Sequence, residues 1–208
     1  MKTIIVMPGS FNPMTKGHYY AMKTALNHFD NSLGIFIPAS FSYIKDKMKT
    51  KTHPLVINDY DRIEIINDYI KNDKNIIISD IELNGTLTSN HTYLTLNAIK
   101  QMYFNCNIYL LVGTDELSFM TTWQSKDKLL NEYMFVVSYR DGSNPHDIIN
   151  HDELLSKYKS HFIFLNEANK IDISSSKIRE LFLSGDSKYK DYLCNSALLI
   201  LDKLKKNQ

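Results

Sequence analysis

Short apolar runs rich in Ile, Val and Leu alternate along this chain with segments whose apolar residues recur every three or four positions. The runs predict strands, and the spaced segments predict helices. The predicted strands cover residues 3–7, 33–37, 76–81, 108–112, 134–138 and 162–165. The predicted helices cover residues 17–29, 58–71 and 91–103, and two more follow residue 174, separated by Gly185-Asp186-Ser187. Continuous apolar strands between helices indicate a parallel sheet that is covered on both faces.

This alternation predicts an α/β protein with a Rossmann-like, doubly wound parallel sheet and a C-terminal helical segment. The sequence contains no internal repeat and no linker, so residues 1–208 are expected to form a single domain. In such sheets strand four lies beside strand one, and ligands bind at the carboxyl ends of those two strands. We therefore expect residues 9–18 and residues 113–115 to line one crevice.

One long connection allows two interpretations. Residues 40–54 are predicted to form a loop, and this loop carries Lys45, Lys47, Lys49 and Lys51. It is either a solvated, mobile loop or a lid that binds phosphate, and the pattern does not choose between them.

Composition and charge narrow the choice of partners. The chain has 208 residues, of which 43% are hydrophobic, and its 24 basic and 23 acidic residues give a net charge of +1. This balance predicts neither a nucleic-acid nor a membrane partner, and it leaves the oligomeric state open, a homo-oligomer included. Cys106 and Cys194 lack metal-ligand spacing and are expected to be reduced thiols. With no signal-peptide pattern and no apolar stretch near the roughly 20 residues of a spanning helix, we expect a cytoplasmic protein.

The strongest candidate chemistry follows the first predicted strand directly. Residues 8–18 read PGSFNPMTKGH, a glycine-containing turn followed by a hydroxyl and an imidazole at the start of a helix. Helix N-termini carry unpaired N–H groups and a partial positive charge, so this arrangement favours a phosphate. Neither the G-x-G-x-x-G dinucleotide pattern nor the G-x-x-x-x-G-K-[ST] phosphate loop is present.

A second candidate lies near the end of the chain. Residues 173–179 read ISSSKIR, with three serines at a predicted helix start and Arg179 about one turn later. Hydroxyls, N–H groups and a guanidinium in this order can bind phosphate oxygens. Taken alone, the segment is better explained as an ordinary serine cap beside a surface arginine; beside the first motif, phosphate binding becomes the favoured interpretation.

Together these segments resemble the nucleotidyltransferase superfamily with the T/H-x-G-H signature, and within it the nicotinamide/nicotinate mononucleotide adenylyltransferases. The ordered matches span nearly the whole chain, at residues 9–18, 79–83, 92–96, 113–115, 123, 136–140 and 173–179. The resemblance implies that the AMP moiety of ATP is joined to nicotinate or nicotinamide mononucleotide. Deamido-NAD or NAD would form and pyrophosphate would leave, by in-line attack on the α-phosphate without a covalent enzyme intermediate.

The resemblance also implies a role for each candidate residue. His18, assisted by Thr15, would donate to the α-phosphate, and Mg²⁺ would enter with ATP through the oxygens of ATP rather than through a protein metal site. The implied ATP-binding residues are Gly9, Ser10, Phe11, His18, Gly113, Asp115, Arg140, Ser175, Ser176 and Arg179. The implied mononucleotide-binding residues are Lys45 at the phosphate, Thr92 near the pyridine substituent and Trp123 against the pyridine ring.

The chain departs from the bacterial nicotinate pattern at three positions of the first motif. Ser10, Asn12 and Thr15 stand where that pattern has glycine, aspartate and histidine, so the site would depend on a single imidazole. The sequence does not choose between nicotinate and nicotinamide. A phosphopantetheine adenylyltransferase or a cytidylyltransferase remains an alternative within the same fold, and a non-catalytic nucleotide-binding regulatory module is an alternative from another class.

Overall fold

A single parallel sheet organises the molecule. The computed structural model describes residues 2–51, 55–85, 87, 91–139, 142–165, 171 and 173–206. The strands of the sheet are β1 (Lys2–Gly9), β2 (Ser32–Pro38), β3 (Ile76–Ile78), β4 (Cys106–Gly113), β5 (Met134–Ser138) and β6 (Phe162–Phe164). Their order is β3-β2-β1-β4-β5-β6, and every neighbouring pair is parallel. Strand four therefore lies beside strand one, which confirms the predicted doubly wound α/β fold.

Helices cover both faces of this sheet. They are α1 (Lys16–His28), α2 (Phe41–Met48), α3 (Asp59–Ile70), α4 (Thr92–Met102), α5 (Thr114–Met120), α6 (Lys126–Glu132), α7 (Pro145–His151), α8 (Ser175–Leu183) and α9 (Asn195–Lys206). Short 3₁₀ segments cover Leu155–His161 and Ser187–Tyr192. The second of these lies between the two helices that were predicted after residue 174.

The alternation of side chains along β1 divides the core into two layers. Ile5 and Met7 pack with the buried faces of α1, α3, α8 and α9. Ile4 and Val6 point the other way and pack with α4, α5, α6 and α7. Because successive strand residues face opposite sides, one continuous apolar run can serve both layers, as the sequence pattern indicates.

The prediction of a loop at residues 40–54 is wrong over most of the segment that the structure describes. Ser40 caps α2, since its side chain accepts a hydrogen bond from the backbone N–H of Tyr43. Ile44 and Met48 lie four residues apart on the buried face of the helix and pack with Ala39. The pattern is hard to detect because two buried residues are surrounded by charged ones over only two turns.

Three further helices, α5, α6 and α7, were not predicted, and the third strand ends at Ile78 rather than residue 81. Each of these helices has seven residues, which is too short for a clear helical period. Both cysteines are free thiols, as expected. Among the residues that the structure describes, no helix has the length and apolar character needed to cross a membrane.

Candidate active site

A cavity of about 540 Å³ opens where β1 and β4 end, at the crevice that the sheet topology predicts. This volume falls within the usual range for small-molecule sites. Most of the predicted site residues line it. These are Gly9, Ser10, Phe11, His18, Thr92, Gly113, Asp115, Trp123, Ser175, Ser176 and Arg179.

The turn after β1 is shaped by a glycine and a buried aromatic ring. Phe11 has a backbone φ of +42°, in the left-handed region, and its side chain is almost fully buried. A Cβ on Gly9 would lie 3.1 Å from Cζ of that ring, so glycine leaves room for it. The ring meets the imidazole of His18 edge-on, with centroids 5.3 Å apart. The turn thus places a fixed apolar wall beside the imidazole.

The imidazole of His18 is oriented by Thr15, the N-cap of α1. The backbone N–H of Thr15 donates to His18 Nδ1 at 3.2 Å, and the Thr15 hydroxyl lies 2.8 Å from the same nitrogen. A backbone amide can only donate, so Nδ1 is the acceptor. The neutral ring therefore carries its proton on Nε2, and that nitrogen is left as the donor.

Thr15 itself is fully buried and is not among the described residues that line the cavity. Its hydroxyl accepts from the backbone N–H of His18 at 3.4 Å and completes a capping box with the imidazole. The structure thus gives Thr15 a contact to His18 rather than to the cavity. This is a positioning role, since the residue acts through the ring that it orients.

Gly17 allows the two sequence motifs to approach each other closely. A Cβ at this position would lie 3.0 Å from the carbonyl oxygen of Ile171 and 3.1 Å from that of Ile173. Both are backbone atoms of the segment that leads into α8, so they cannot move aside as a flexible side chain could. A glycine is therefore needed where α1 begins against this segment.

The second motif holds the backbone of the first. Ser175 Oγ donates to the carbonyl oxygen of Pro13 at 2.8 Å. Arg179 donates through Nη1 to the carbonyl oxygen of Asn12 at 2.9 Å and through Nη2 to Ser176 Oγ at 2.9 Å. Arg179 is only 4% exposed, and its burial lowers the pKa of the guanidinium. The surface-arginine interpretation is therefore wrong.

The side chain of Asn12 holds the same loop from the opposite side. Its Nδ2 donates to the carbonyl oxygen of Leu55 at 2.7 Å, and its Oδ1 accepts from the backbone N–H of Ile57 at 2.8 Å. The amide is fully buried and uses a donor and an acceptor at once. A carboxylate cannot do both, which gives a physical reason for asparagine at this position.

The lysines that reach the cavity differ from the one that was predicted. Lys47 and Lys51 line it, whereas Lys45 is not among the described lining residues, although all three lysines are exposed. Residues four apart lie on the same side of a helical turn, and the backbone N–H of Lys51 donates to Met48, which extends the turn beyond α2. In an extended loop no spacing would distinguish Lys47 and Lys51 from Lys45. Because α2 was not predicted, the sequence could not indicate which lysines reach the cavity.

Another part of the cavity lining comes from α4, from α5 and from the residues that follow α5. Gly113 is the N-cap of α5, Asp115 and Glu116 lie in its first turn, and Trp123 is half-buried against the core. Arg140, predicted to face the nucleotide, lies outside the described residues.

Sequence reasoning missed several other lining residues. Glu82 is almost fully buried and accepts a hydrogen bond from Thr95 Oγ1 at 2.6 Å. Burial and the charges of Glu116 and Glu82 raise the pKa of the Tyr43 hydroxyl. Phe119 lines the cavity with an exposed ring. Phe119 precedes Trp123 by four residues. This spacing could have indicated that both aromatic residues line the same cavity.

Comparison with known proteins gives matches over most of the chain. The model of the cytidylyltransferase-like family matches residues 6–181. A Clostridium botulinum protein described as a probable nicotinate-nucleotide adenylyltransferase is 32% identical over 182 residues, covering 86% of this chain and 87% of that protein. A Clostridium novyi protein with the same description is 28% identical over 179 residues, with 86% of each chain covered.

Solved structures share the fold. The nicotinic acid mononucleotide adenylyltransferase of Plasmodium falciparum, complexed with APC, superposes with a TM-score of 0.73 at 20% identity, over 100% of this chain and 96% of that one. The same protein complexed with NaAD gives a TM-score of 0.71 at 20% identity, with the same coverage. At this identity the likeness is one of architecture.

Replacing Asn12 by Asp is expected to lower the free energy of unfolding at neutral pH by about 2–4 kcal/mol, because a carboxylate faces the Leu55 carbonyl in place of a donor. Burial raises the folded-state pKa of this carboxyl above its unfolded value, so the loss should shrink as the pH falls and the acid becomes a donor. Urea unfolding at about pH 8 and about pH 5 measures both effects.

The matched control for that experiment is Asn27→Asp, which makes the same chemical change at an exposed position of α1. It should leave the free energy of unfolding nearly unchanged at both pH values. An equal loss for Asn12→Asp at the two pH values would contradict the buried-amide interpretation.

Proposed function

Because the chain belongs to the cytidylyltransferase-like family, we propose that it is a nicotinate-nucleotide adenylyltransferase. The 5′-phosphate of nicotinate mononucleotide attacks the α-phosphate of ATP, pyrophosphate leaves, and deamido-NAD forms. The observation that carries this proposal is the imidazole of His18, fixed by Thr15 with its donor on Nε2, in a cavity at the ends of β1 and β4. The names of the sequence relatives support nicotinate as the pyridine substituent.

The chemistry needs no nucleophile from the protein. An oxygen of the mononucleotide phosphate forms a bond to the α-phosphorus while the bond to the bridging oxygen of pyrophosphate breaks. The attacking phosphate is already ionised, so no proton has to be removed. The protein contributes position and charge stabilisation, and His18 Nε2–H donates to the α-phosphate oxygens as negative charge accumulates there. The N-terminus of α1 adds partial positive charge at the same place.

For ATP we propose two binding regions on either side of His18. Asp115 binds ribose hydroxyls, with Gly113 allowing close approach of the backbone. Ser175, Ser176 and Arg179 form the β- and γ-phosphate side, close to the loop carbonyls that Ser175 and Arg179 already hold. These residues therefore act both by supporting the turn that carries Ser10 and by facing the cavity.

For the mononucleotide we propose that the phosphate is bound by Lys47 and Lys51. Both lysines line the same cavity as Trp123, Lys47 within α2 and Lys51 three residues beyond its end. Trp123 offers its indole face to the cationic pyridinium, which gains from the ring quadrupole. Thr92, at the first position of α4, faces the cavity near the expected position of the carboxylate.

We propose that Mg²⁺ enters with ATP. It would be bound through the phosphate oxygens of ATP and water, and Glu116, which lines the cavity, would supply a carboxylate beside it. Within the part of the chain that the structure describes, no group of three or more His, Cys, Asp or Glu side chains is placed to hold a metal. When bound, the ion would neutralise charge on the triphosphate.

The proposed reaction can be tested by measuring pyrophosphate release from ATP with three acceptors offered separately. Nicotinate mononucleotide should give the highest kcat/KM, followed by nicotinamide mononucleotide, and phosphopantetheine should give none. Chromatography of the product identifies deamido-NAD. Turnover with phosphopantetheine alone, or no turnover with any acceptor, would overturn the proposed function.

Replacing His18 by Ala is expected to lower kcat by about 10²- to 10⁴-fold, because a donor to the developing charge is lost. The KM for ATP should change little, since the loss is specific to the transition state. Steady-state kinetics with nicotinate mononucleotide measures both values. His28→Ala, an exposed histidine of the same helix, is the control. A kcat of the His18 variant close to that of the wild type would refute the role assigned to the imidazole.

Replacing Lys47 by Ala is expected to raise the KM for nicotinate mononucleotide about 10- to 100-fold, as expected for loss of a charge-assisted hydrogen bond to phosphate. Lys45→Ala lies on the same helix, removes the same charge and should leave that KM nearly unchanged. Comparison of the two variants separates a direct contact from a change in net charge. The reverse order of effects would support Lys45 as the phosphate ligand.

A further inference from the structure

The largest fully buried side chain in the described part of the chain is a cation, Arg62 of α3. Its Nη1 donates to the carbonyl oxygen of Ser10 at 2.8 Å, and its Nη2 donates to the carbonyl oxygen of Ala39 and to the carboxylate of Asp59. Arg62 is not one of the described residues that line the cavity. It nevertheless contacts two backbone segments that do.

Removing the charged guanidinium from water costs free energy, and the nearby carboxylates offset only part of that cost. Removal from water lowers the pKa of Arg62, while the nearby carboxylates of Asp59 and Glu82 oppose that shift. A buried ion pair is often no more stable than an apolar substitute of similar volume. The contacts to backbone carbonyls are therefore the distinctive feature of this side chain, because an apolar residue cannot make them.

The two carbonyls follow neighbouring strands, β1 and β2, and the backbone N–H of Ala39 also donates to the carbonyl oxygen of Gly9 at 2.9 Å. Ser10 lies in the turn that leads to His18, on the side proposed for the α-phosphate. Ala39 directly precedes Ser40, the N-cap of α2, and α2 leads to the two lysines proposed for the mononucleotide phosphate. One guanidinium thus spans the turn after β1 and the start of α2. Its planar geometry fixes the separation of the two carbonyls more strictly than two independent contacts would.

We propose that Arg62 is a positioning residue for adenylyl transfer, which sets the phosphate-binding turn and α2 at the separation that in-line attack requires. This inference rests on the proposed function. An in-line reaction is sensitive to small errors in the approach of two phosphates, and a displacement of about 1 Å can lower the rate about 10²-fold. Arg62 acts through the backbone at Ser10 and Ala39, and it does not touch the substrates.

The test compares Arg62→Lys and Arg62→Met with Ile66→Ala, at a fully buried residue of the same helix whose apolar side chain cannot donate a hydrogen bond to either carbonyl. Lysine keeps the charge but loses the two-pronged geometry, and methionine removes the charge and both contacts. Each variant is assayed for kcat and KM with ATP and nicotinate mononucleotide, at a temperature below the melting transition of all the folded variants. Backbone hydrogen–deuterium exchange is followed in peptides covering residues 8–15 and 38–48.

Arg62→Lys should lower kcat about 10²-fold with little change in the KM for ATP, and exchange should become faster in both peptides. Ile66→Ala should lower the melting temperature and leave kcat near the wild-type value. A kcat near wild type in Arg62→Lys, or an equal loss of kcat in Ile66→Ala at the same melting temperature, would overturn the inference. If Arg62→Met does not fold, the lysine variant alone decides the outcome.

The exchange measurement also separates this inference from the proposed function. If the wild-type protein transfers no adenylyl group, the proposed function fails, and faster exchange in Arg62→Lys still shows that Arg62 holds the two segments. If the wild type is active and exchange in Arg62→Lys is unchanged, the positioning role fails and the proposed function stands.

Discussion

Hydrogen bonds to the backbone carbonyls of the turn after β1 are the constraint on which the rest of the site depends. The carbonyl oxygens of Ser10, Asn12 and Pro13 accept from Arg62, Arg179 and Ser175, respectively. The donors come from α3 and α8, which are far apart along the chain. A turn with its carbonyls held in this way has its shape fixed before any ligand enters the cavity. Such preorganisation is the main contribution that a protein can make to phosphoryl transfer.

The charges of the molecule are balanced overall and separated locally. The net charge is only +1, yet the cavity is lined by Lys47, Lys51 and Arg179 as well as by three carboxylates. The cations lie on α2, just beyond its end and on α8, and the carboxylates lie on α5 and in the segment before α4. A composition of 24 basic and 23 acidic residues conceals this separation. A cavity of mixed sign suits substrates that bring phosphates at one end and hydroxyl-bearing sugars at the other.

The strands of the sheet could be predicted from sequence because each strand is indicated by a short run of neighbouring residues. A continuous apolar run such as Ile4-Ile5-Val6 indicates a strand buried on both faces, and the rule for doubly wound sheets then placed β1 beside β4. The position of the two sequence motifs at the starts of α1 and α8 could also be predicted, since each combines residue types that favour a helix start. What could not be predicted are contacts between distant residues. Nothing near Arg62 in the sequence indicates Ser10 as its partner, 52 positions away. The two lysines that line the cavity could not be told from Lys45, because that distinction depends on α2, a helix with too few apolar residues to detect.

The close contact at Gly17 also bears on synthesis of the protein. The α1 terminus packs against the carbonyl oxygens of residues 171 and 173, and the turn before it is held by Ser175, which is 162 positions beyond its partner Pro13. A nascent chain emerging from the ribosome therefore carries the turn after β1 long before the donors that support it. The turn is complete only once α8 has been translated and has docked. The hydrogen bonds between α8 and the turn join residues 162 and 167 positions apart, and closing a longer loop costs more chain entropy.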